Sequence, residues 1–280
     1  MAVEHFVREK LRQFLAEDIG PGDLTTDSIP ALALQPLRAT INARRPGVLA
    51  GVDFALEVFR LLDPTVQVNG PTLTDGSPLS TGQTIARISG QAAALLKGER
   101  TALNILQRLS GIATLTRRYA DALQGSRTLL LDTRKTTPGF RYFEKHAVRA
   151  GGGANHRLGL FDGAMIKDNH IAAAGGIGPV VDQLRRRIPV TVRIEVEVDT
   201  LDQVEEALAA GADIIMLDNM TPAQMREALR RIDGRSRVEA SGGIALDDLP
   251  ELAGLGLDYI STSAIITQAR WLDIGMDITE

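Results

Sequence analysis

The sequence contains no cysteine and no long apolar run. Without cysteine, the chain has no disulfide framework, no thiolate metal site and no cysteine nucleophile. No apolar stretch approaches the ~20 residues that a transmembrane helix needs. The N-terminus alternates charged and apolar side chains at helical spacing, unlike a signal peptide. We therefore expect a cytoplasmic protein that has no membrane partner.

The sequence also has no excess of positive charge. The 31 basic residues are outnumbered by 35 acidic residues, which gives a formal net charge of −4. Nucleic-acid-binding proteins usually carry a basic face, so we expect no nucleic-acid partner. The sequence also has no Ser-His-Asp order and no HExxH, Walker or GxGxxG motif. Hydrolase, zinc-protease, P-loop and Rossmann functions therefore have no motif in their favour.

The second half of the chain repeats one pattern, in which short β-rich runs are mostly separated by segments of helical periodicity. Two of the helices have capping boxes, Thr200 with Gln203 and Thr221 with Gln224. The six β-rich runs are TLLLDTRK, GAMIKDN, VRIEVEVD, DIIMLDN, RVEASGG and DYISTSA. Six such units fit a parallel α/β barrel or an open doubly wound sheet.

The first hundred residues follow a different, α+β pattern. Strands are expected in LRATINARRPGVLAG, TVQVN and GQTIARISG, around a helix at DFALEVFRLLD. A long helical stretch that begins near residue 92 joins this half to the repeats. With 280 residues, 44% of them hydrophobic, the chain can form two packed domains. We place the domain boundary within the joining helix.

Each predicted strand of the second half ends on polar or charged residues. In a parallel α/β fold these ends share one face, which is where barrel enzymes place their active sites, so the pattern favours the barrel. The residues concerned are Arg134 and Lys135, Lys167 and Asp168, Glu197, Asp218, Ser241 to Gly243, and Ser261 to Ser263.

The run VRIEVEVD alternates charged and apolar side chains, which is typical of a strand. In a barrel its charged set, Arg193, Glu195, Glu197 and Asp199, would face the interior. Burying that set is costly unless the side chains pair, hold a metal or contact a ligand. The alternative is an edge strand with one solvated face, although the central place of the run in the series disfavours it.

The cations fall into two groups. Arg134, Lys135 and Lys167 follow strands and are candidates for the site. A second set has helical spacing, and we expect it to form a solvated helix face: Arg141, Lys145 and Arg149. Among the histidines, His146 is set aside, whereas structural and functional roles are evenly balanced for His156 and His170.

Two polar segments near the end of the series suit a phosphate. Ser241, Gly242 and Gly243 follow one strand and offer free backbone N–H groups at the start of a helix. Ser261 to Ser263 follow the next strand, and barrels often bind phosphate with the loops after their last two strands. With the cations, these segments predict substrates that carry several negative charges. Glu197 and Asp218 are suited to a magnesium ion (Mg2+) that arrives with a polyphosphate.

The chain resembles the quinolinate phosphoribosyltransferase family over nearly its full length. The similarity lies in EDIGPGDLTTD, ERTALNILQRLSGIAT, EVEVD, MLDNM, EASGGI and, most specifically, DTRKTTPGFRYFEKHAVRAGGGANHRLGLFDGAMIKDNHI. The resemblance implies an N-terminal α/β sandwich domain over residues 1–112, completed by 268–280, and an incomplete TIM-like α/β barrel over 113–267. It also implies a homodimer or larger assembly.

The resemblance further implies a reaction and its residues. Quinolinate and 5-phosphoribosyl-1-pyrophosphate would give nicotinate mononucleotide, pyrophosphate and CO2 for NAD biosynthesis, with Mg2+ and no organic cofactor. Lys135, Lys167, Glu197 and Asp218 would be catalytic, and the last two would bind the metal. The substrate-binding set would comprise Arg100 from the partner subunit, Thr133, Arg134, Lys135, His156, Arg157, Lys167, Glu197, Asp218, Ser241, Gly242, Gly243, Ser261, Thr262 and Ser263. The family often has glycine where this chain has Ser263, which affects the expected phosphate geometry.

Three other functions remain open from the sequence. The first is a paralogous phosphoribosyltransferase-like protein of molybdate-transport operons, which shares much of the motif set, although IKDNH and GGGANHR point away from it. The second is a Schiff-base lyase that uses Lys167 at a strand end. The third is a small-anion-binding regulator, for which the sequence shows no attached DNA-binding or signalling segment.

Overall fold

Helices and strands follow one another through the computed structural model, which describes residues 2–279. The helices are α1 (Ala2–Ile19), α2 (Leu24–Asp27), α3 (Pro30–Ala33), α4 (Val52–Leu62), α5 (Ala92–Ala122), α6 (Arg141–Ala150), α7 (Asp168–Ala174), α8 (Ile177–Arg185), α9 (Leu201–Ala209), α10 (Pro222–Ile232), α11 (Leu249–Ala253) and α12 (Ala264–Thr267). The strands are β1 (Pro36–Ala43), β2 (Gly47–Val48), β3 (Gln67–Val68), β4 (Pro78–Leu79), β5 (Thr84–Gln91), β6 (Leu129–Leu131), β7 (Ala164–Ile166), β8 (Ile194–Val198), β9 (Ile214–Asp218), β10 (Arg237–Ser241), β11 (Tyr259–Ser261) and β12 (Ile274–Thr279).

The contacts divide the chain into two compact units. Residues 1–114 and 269–280 form the first unit, and residues 115–268 form the second. Both ends of the chain therefore belong to the first unit. Helix α5 begins in the first unit and ends in the second.

The first unit contains a four-stranded antiparallel sheet in the order β12-β1-β5-β3, and a small pair of β2 with β4. Strand β1 lies between β5 and β12, and its register with β12 runs from Arg38 opposite Thr279 to Ala43 opposite Ile274. Every second residue of β1 from Ala39 onward is buried, as expected for a strand with one face on a core. Helix α4 adds an apolar stripe that includes the fully buried Phe59.

The second unit is an incomplete α/β barrel of six parallel strands in the order β6-β11-β10-β9-β8-β7. The last strand of this unit, β11, pairs with its first strand, β6, as barrel closure requires. The sheet is open between β6 and β7, where Leu131 makes a single parallel bridge with Ala154. The six β-rich runs of the sequence form these six strands, so the predicted barrel is confirmed.

Local sequence signals set several helix starts in this unit. The Thr200 and Thr221 hydroxyls accept the backbone N–H groups of Gln203 and Gln224 at the starts of α9 and α10, as predicted. The prediction for VRIEVEVD is partly wrong. Glu195 is buried and Glu197 half-buried, but Arg193 and Asp199 lie just outside β8 and are exposed. Strand β8 covers only part of the alternating run VRIEVEVD. The charged residues just outside the strand, Arg193 and Asp199, therefore remain in water.

Among the described residues, no helix is both long enough and apolar enough to cross a membrane.

Candidate active site

A cleft of about 570 Å³ opens at the C-terminal ends of the barrel strands. It is lined by every residue of the second unit that the family resemblance assigned to substrate binding: Thr133, Arg134, Lys135, His156, Arg157, Lys167, Glu197, Asp218, Ser241, Gly242, Gly243, Ser261, Thr262 and Ser263. The parallel strands end at a common rim, and this brings residues together that are up to 130 positions apart.

Two arginines form the cationic wall of the cleft. Arg157 donates to the carbonyl of Gly163 at 3.0 Å, which orients its guanidinium group. Burial, and then the nearby charge of Arg134, lower the pKa of Arg157. The buried Nε of Arg134 has no hydrogen-bond partner within residues 2–279. Two guanidinium groups held close together, one with an unused donor, constitute a site for an anion with more than one charge.

The lysines of the cleft are placed differently from each other. Lys135 is exposed at the rim, and its backbone N–H donates to the Thr133 hydroxyl at 3.0 Å. Lys167 precedes α7, and its ammonium group forms an ion pair with Glu197 at the end of β8. This ion pair fixes the orientation of both side chains in the cleft.

Asp218 ends β9 and lies beside Ser241 in the register of the sheet. Burial, and then the charge of Asp199, raise the pKa of Asp218. Its Oδ2 accepts the side-chain N–H of Asn219 at 2.6 Å. A half-buried carboxylate repelled by another carboxylate is stabilised by a cation, and oxygen ligands are those that Mg2+ prefers. The donor set therefore fits a magnesium ion, with Glu197 as the second carboxylate of the cleft.

The turn after β10 provides free backbone donors. Gly242 and Gly243 have φ of 97° and 64°, in the left-handed region that glycine adopts readily. A Cβ atom at Gly242 would lie 2.7 Å from the backbone N of Asn219, so only glycine fits there. Across the described part of the chain, the N–H groups of Gly242, Gly243 and Ile244 have no acceptor. These N–H groups suit a phosphate.

The segment after β11 is mostly engaged with the protein itself. Ser261, the last residue of β11, is 2% exposed. The Thr262 hydroxyl donates to the carbonyl of Ile244 at 2.9 Å, which joins this segment to the glycine turn. Ser263 has φ of −79° and ψ of −17°, a conformation open to any residue. Serine at this position, in place of the glycine frequent in the family, therefore causes no backbone strain.

His156 lines the cleft, and its Nε2 points to two buried carboxylates of the barrel interior. Its Nε2 lies 3.1 Å from Oε2 of Glu195 and 3.7 Å from Oε2 of Glu239. Its Nδ1 accepts the N–H of Arg157 at 2.7 Å. Burial lowers the pKa of His156, but the two carboxylates outweigh burial and raise it. The N–H contact at Nδ1 opposes this and favours the tautomer with its proton on Nε2.

Glu239 is the partner that the sequence reasoning missed. It is 1% exposed, and burial together with Glu195 raises its pKa to about 8. The alternation that pointed to Glu195 in VRIEVEVD applies equally to RVEAS, where Glu239 is the central residue. These three side chains bring their ligand atoms within 4.8 Å of one another. The hydrogen-bond spacing between His156 and Glu195 accounts for the cluster as a proton-sharing network.

The predicted solvated face of Arg141, Lys145 and Arg149 is wrong for Lys145. Arg149 is exposed, whereas Arg141 is half-buried and donates to the Thr136 hydroxyl at 2.8 Å. Lys145 is 1% exposed and pairs with the fully buried Asp132, with 2.5 Å between Nζ and Oδ1. Burial raises the pKa of Asp132 and lowers that of Lys145. The helical spacing was read correctly, but the face that carries Lys145 is turned inward.

Three candidates of the sequence lie outside the cleft lining. Arg100 is exposed on α5, in the first unit, and forms no ion pair with any described residue. Asp168 is exposed at the start of α7. His170 is exposed, and its Nδ1 accepts the backbone N–H of Lys167 at 3.0 Å, so it has a structural role.

Comparisons with known proteins agree with this geometry. The family models for the quinolinate phosphoribosyl transferase N-terminal and C-terminal domains match residues 23–110 and 112–277. A Bacillus subtilis protein named "Probable nicotinate-nucleotide pyrophosphorylase (carboxylating)" is 48% identical over 98% of this chain and 93% of its own length. The Mycobacterium leprae nicotinate-nucleotide pyrophosphorylase (carboxylating) is 43% identical over 97% and 96%. The crystal structure of NadC from Streptococcus pyogenes superposes with a TM-score of 0.92 at 43% identity, covering 97% of this chain and 95% of that one.

Proposed function

The chain belongs to the quinolinate phosphoribosyltransferase family, and we propose from this that its cleft joins quinolinate to 5-phosphoribosyl-1-pyrophosphate. The enzyme is a decarboxylating phosphoribosyltransferase of NAD biosynthesis, a carboxylating nicotinate-nucleotide pyrophosphorylase. Its products are nicotinate mononucleotide, pyrophosphate and CO2. The observation that carries the assignment of the cleft is its division into a cationic wall, with Arg134 and Arg157, and a turn of free N–H groups at Gly242 to Ile244.

The two sides of the cleft suit the two substrates. Quinolinate has two carboxylates on adjacent ring carbons, and the paired guanidinium groups of Arg134 and Arg157 match such a dianion. The 5-phosphate of the second substrate would occupy the turn at Gly242 and Gly243. The same cleft is also lined by Ser241, Ser261, Thr262 and Ser263. The pyridine nitrogen and the ribose C1 would then meet between Lys135 and Lys167.

Bond formation between these two atoms releases pyrophosphate and passes through a ribose with positive charge. Lys135 and Lys167 would stabilise the negative charge that develops on the leaving group. Glu197 and Asp218 would bind the ribose hydroxyls and stabilise the positive charge. The carboxylate next to the ring nitrogen then leaves as CO2. Its bonding electrons pass to the quaternised pyridinium, and the ring carbon takes up a proton from water, so no organic cofactor is required.

Glu197 and Asp218 are also the residues that would hold Mg2+. Bound there with the pyrophosphate, the ion would neutralise part of the leaving group's charge. Because Glu197 already pairs with Lys167, the ion would compete with this lysine for the carboxylate.

We further propose that the enzyme acts as a homodimer or larger assembly with a shared site. Arg100 is exposed and unpaired among the described residues, which leaves its charge free for a site on a neighbouring subunit. This is the position that the family resemblance assigns to it.

The direct test measures quinolinate consumption together with CO2 release by the purified protein. Lys135→Ala and Lys167→Ala should each lower kcat/KM by ~10²-fold or more, since each removes one preorganised charge from the cleft. Near-normal turnover by either folded variant would refute its role. A protein that binds quinolinate without releasing CO2 would instead be an anion-binding regulator. Failure to use quinolinate while another base is ribosylated would favour the paralogous phosphoribosyltransferase of molybdate-transport operons.

The ion pair between Lys167 and Glu197 argues against the Schiff-base lyase. To form a Schiff base, the Nζ atom of Lys167 must attack a substrate carbonyl, and this atom is already engaged by Glu197. Borohydride should therefore trap no substrate carbonyl on Lys167. A trapped adduct at this residue would support the lyase function instead.

A further inference from the structure

We infer that the buried pair of Asp132 and Lys145 positions the cationic wall of the cleft and thereby sets the affinity for the dicarboxylate substrate. This inference rests on the proposed function. Neither residue lines the cleft, so they are positioning residues that act through their neighbours.

The pair occupies a place where charges are costly. Asp132 follows the end of β6 and is fully buried, and Lys145 lies on α6 at 1% exposure. A buried ion pair gives little net stability compared with apolar side chains of similar size, because both charges must leave water. An ion pair at this position is therefore explained by contacts that apolar side chains could not make.

Those contacts all converge on one short segment, residues 155–157. Lys145 Nζ donates to the carbonyls of His156 at 2.8 Å and Arg157 at 3.1 Å, in addition to Asp132. Asp132 Oδ1 accepts the N–H of His156 at 2.9 Å, and its Oδ2 accepts the side chain of Asn155 at 2.6 Å. The three donors of the ammonium group are thereby used, and both sides of the segment's backbone are held.

The segment needs this support because it has no regular secondary structure. It begins after Ala154, which forms a single β-bridge with Leu131 at the open side of the barrel. Without the pair, the carbonyls of His156 and Arg157 would lose the partners that they have inside the barrel. The Cα position of Arg157, and so the reach of its guanidinium group, depends on these contacts.

The pair also joins the two halves of the cationic wall. Asp132 directly precedes Thr133 and Arg134, while its carboxylate holds the segment that carries Arg157. The positive charges of Arg134 and Arg157 repel each other, and this repulsion adds to burial, the larger cause, in lowering the pKa of Arg157. The two guanidinium groups therefore need a support that keeps their separation fixed until a dianion binds. The shared anchor at Asp132 does this, because it is two residues before Arg134 in the chain and its Oδ1 accepts the N–H of His156, which directly precedes Arg157.

The test is steady-state kinetics of three variants in the full-length enzyme. Asp132→Asn with Lys145→Met removes both charges together and so leaves no unpaired ion in the core. Asn155→Ala removes one contact to Asp132 without changing the buried charges. Val204→Ala is the matched control, because Val204 is fully buried on α9 and lies outside the cleft lining. It destabilises the same unit without touching residues 155–157. The melting temperature is measured for all three.

We expect the double variant to raise the KM for quinolinate about tenfold or more, since small misplacements of binding groups have effects of this size. The KM for phosphoribosyl pyrophosphate should stay within about twofold, because the glycine turn is held by other residues. Asn155→Ala should change quinolinate KM in the same direction by about threefold. Val204→Ala should lower the melting temperature and leave both KM values unchanged.

Unchanged quinolinate KM in folded variants, or an equal rise in both KM values, would overturn the inference. The same quinolinate effect in Val204→Ala would also overturn it, since general loosening of the barrel would then be the cause. If the double variant does not fold, Asn155→Ala decides alone, and a wild-type KM there counts against the role. A wild-type enzyme that fails to consume quinolinate refutes the proposed function itself, which distinguishes the two failures.

Discussion

Glu239 on β10 and Glu195 on β8, two strands separated by β9, share a histidine, with 3.7 and 3.1 Å from their Oε2 atoms to Nε2 of His156. Both carboxylates are buried, at 1% and 4% exposure. Two carboxylates in so confined a space are not both ionised at neutral pH without a large cost. Glu239 is accordingly the group that keeps its proton, with its pKa raised to about 8.

This gives the first prediction, a dependence of stability on pH. In the folded state Glu239 holds its proton up to a pKa of about 8, whereas an ordinary glutamate loses it above 4.5. The folded state then binds more protons than the unfolded state between these values, so the free energy of unfolding falls as pH rises from about 4.5 to 8. Glu239→Gln should remove most of this fall, as measured by urea unfolding across that range. Glu251→Gln, which alters an exposed ion pair with Arg226, serves as the control. A wild-type pH slope in Glu239→Gln would contradict the assignment of the proton.

The second prediction compares two neighbouring glycines. Gly242→Ala places a Cβ atom 2.7 Å from the backbone N of Asn219, so the turn must open. We expect the KM for phosphoribosyl pyrophosphate to rise about tenfold or more, since a hydrogen bond to a charged group contributes ~1.5–3 kcal/mol. Gly243→Ala meets no atom within 4 Å and is strained only by its φ of 64°. It should cost ~1 kcal/mol of stability and change that KM much less. Equal kinetic effects of the two variants would argue against a phosphate in this turn.

The third prediction concerns the metal. Asp218→Asn keeps the size of the side chain but removes the charge that suits a divalent ion. The Mg2+ concentration at half-maximal activity should rise about tenfold or more, together with the KM for phosphoribosyl pyrophosphate. Asp247→Asn is the control, because Asp247 is exposed and lies outside the cleft lining. If Asp218→Asn is impaired equally at every Mg2+ concentration, the residue does not bind the metal.

The fourth prediction tests the shared site. Arg100→Ala and Lys135→Ala should each be nearly inactive. After subunit exchange, a mixed dimer has one site with both wild-type residues and one site with neither. Random exchange of equal amounts makes half of the dimers mixed, so activity should recover to about a quarter of the wild-type value. Retained activity of Arg100→Ala alone would show that Arg100 has no catalytic role. If exchange is verified and nothing recovers, Arg100 acts within its own subunit.

A fifth prediction uses the residue that departs from the family pattern. Ser263→Gly restores the frequent glycine, yet the backbone there needs no glycine, since φ is −79°. We expect kcat and both KM values to stay within about twofold of the wild-type values. A tenfold gain in affinity for phosphoribosyl pyrophosphate would show instead that the serine side chain obstructs the phosphate.

The barrel could be predicted from the sequence because its signals are local. Each strand is a short β-rich run that ends on polar residues, and the capping boxes at Thr200 and Thr221 fix helix starts within a few residues. The parallel topology then collects the strand ends on one rim, so most of the cleft follows without knowledge of any long-range contact. His156 and Arg157 follow no strand, and they entered through the family resemblance.

The buried networks could not be predicted in the same way. Lys145 and Asp132 are 13 residues apart, and nothing in the spacing along α6 tells which face of the helix is turned inward. A lysine is rarely buried, so composition favours the solvated face and gives the wrong answer. Glu239 was accessible through strand alternation, but its contact with His156 and Glu195 depends on the order of the strands and on how the sheet curves. That depends on the closure of the whole sheet.

The pairing of β12 with β1 determines the order in which the molecule can be completed during synthesis. Strand β1 is made early, but its partner β12 consists of residues 274–279, which follow the second unit in the sequence. The whole second unit, residues 115–268, is synthesised between them. Domains generally fold as units while the chain emerges, so the barrel can form before the sheet of the first unit gains its last strand. Until then β1 is an open edge, available to pair with another nascent chain.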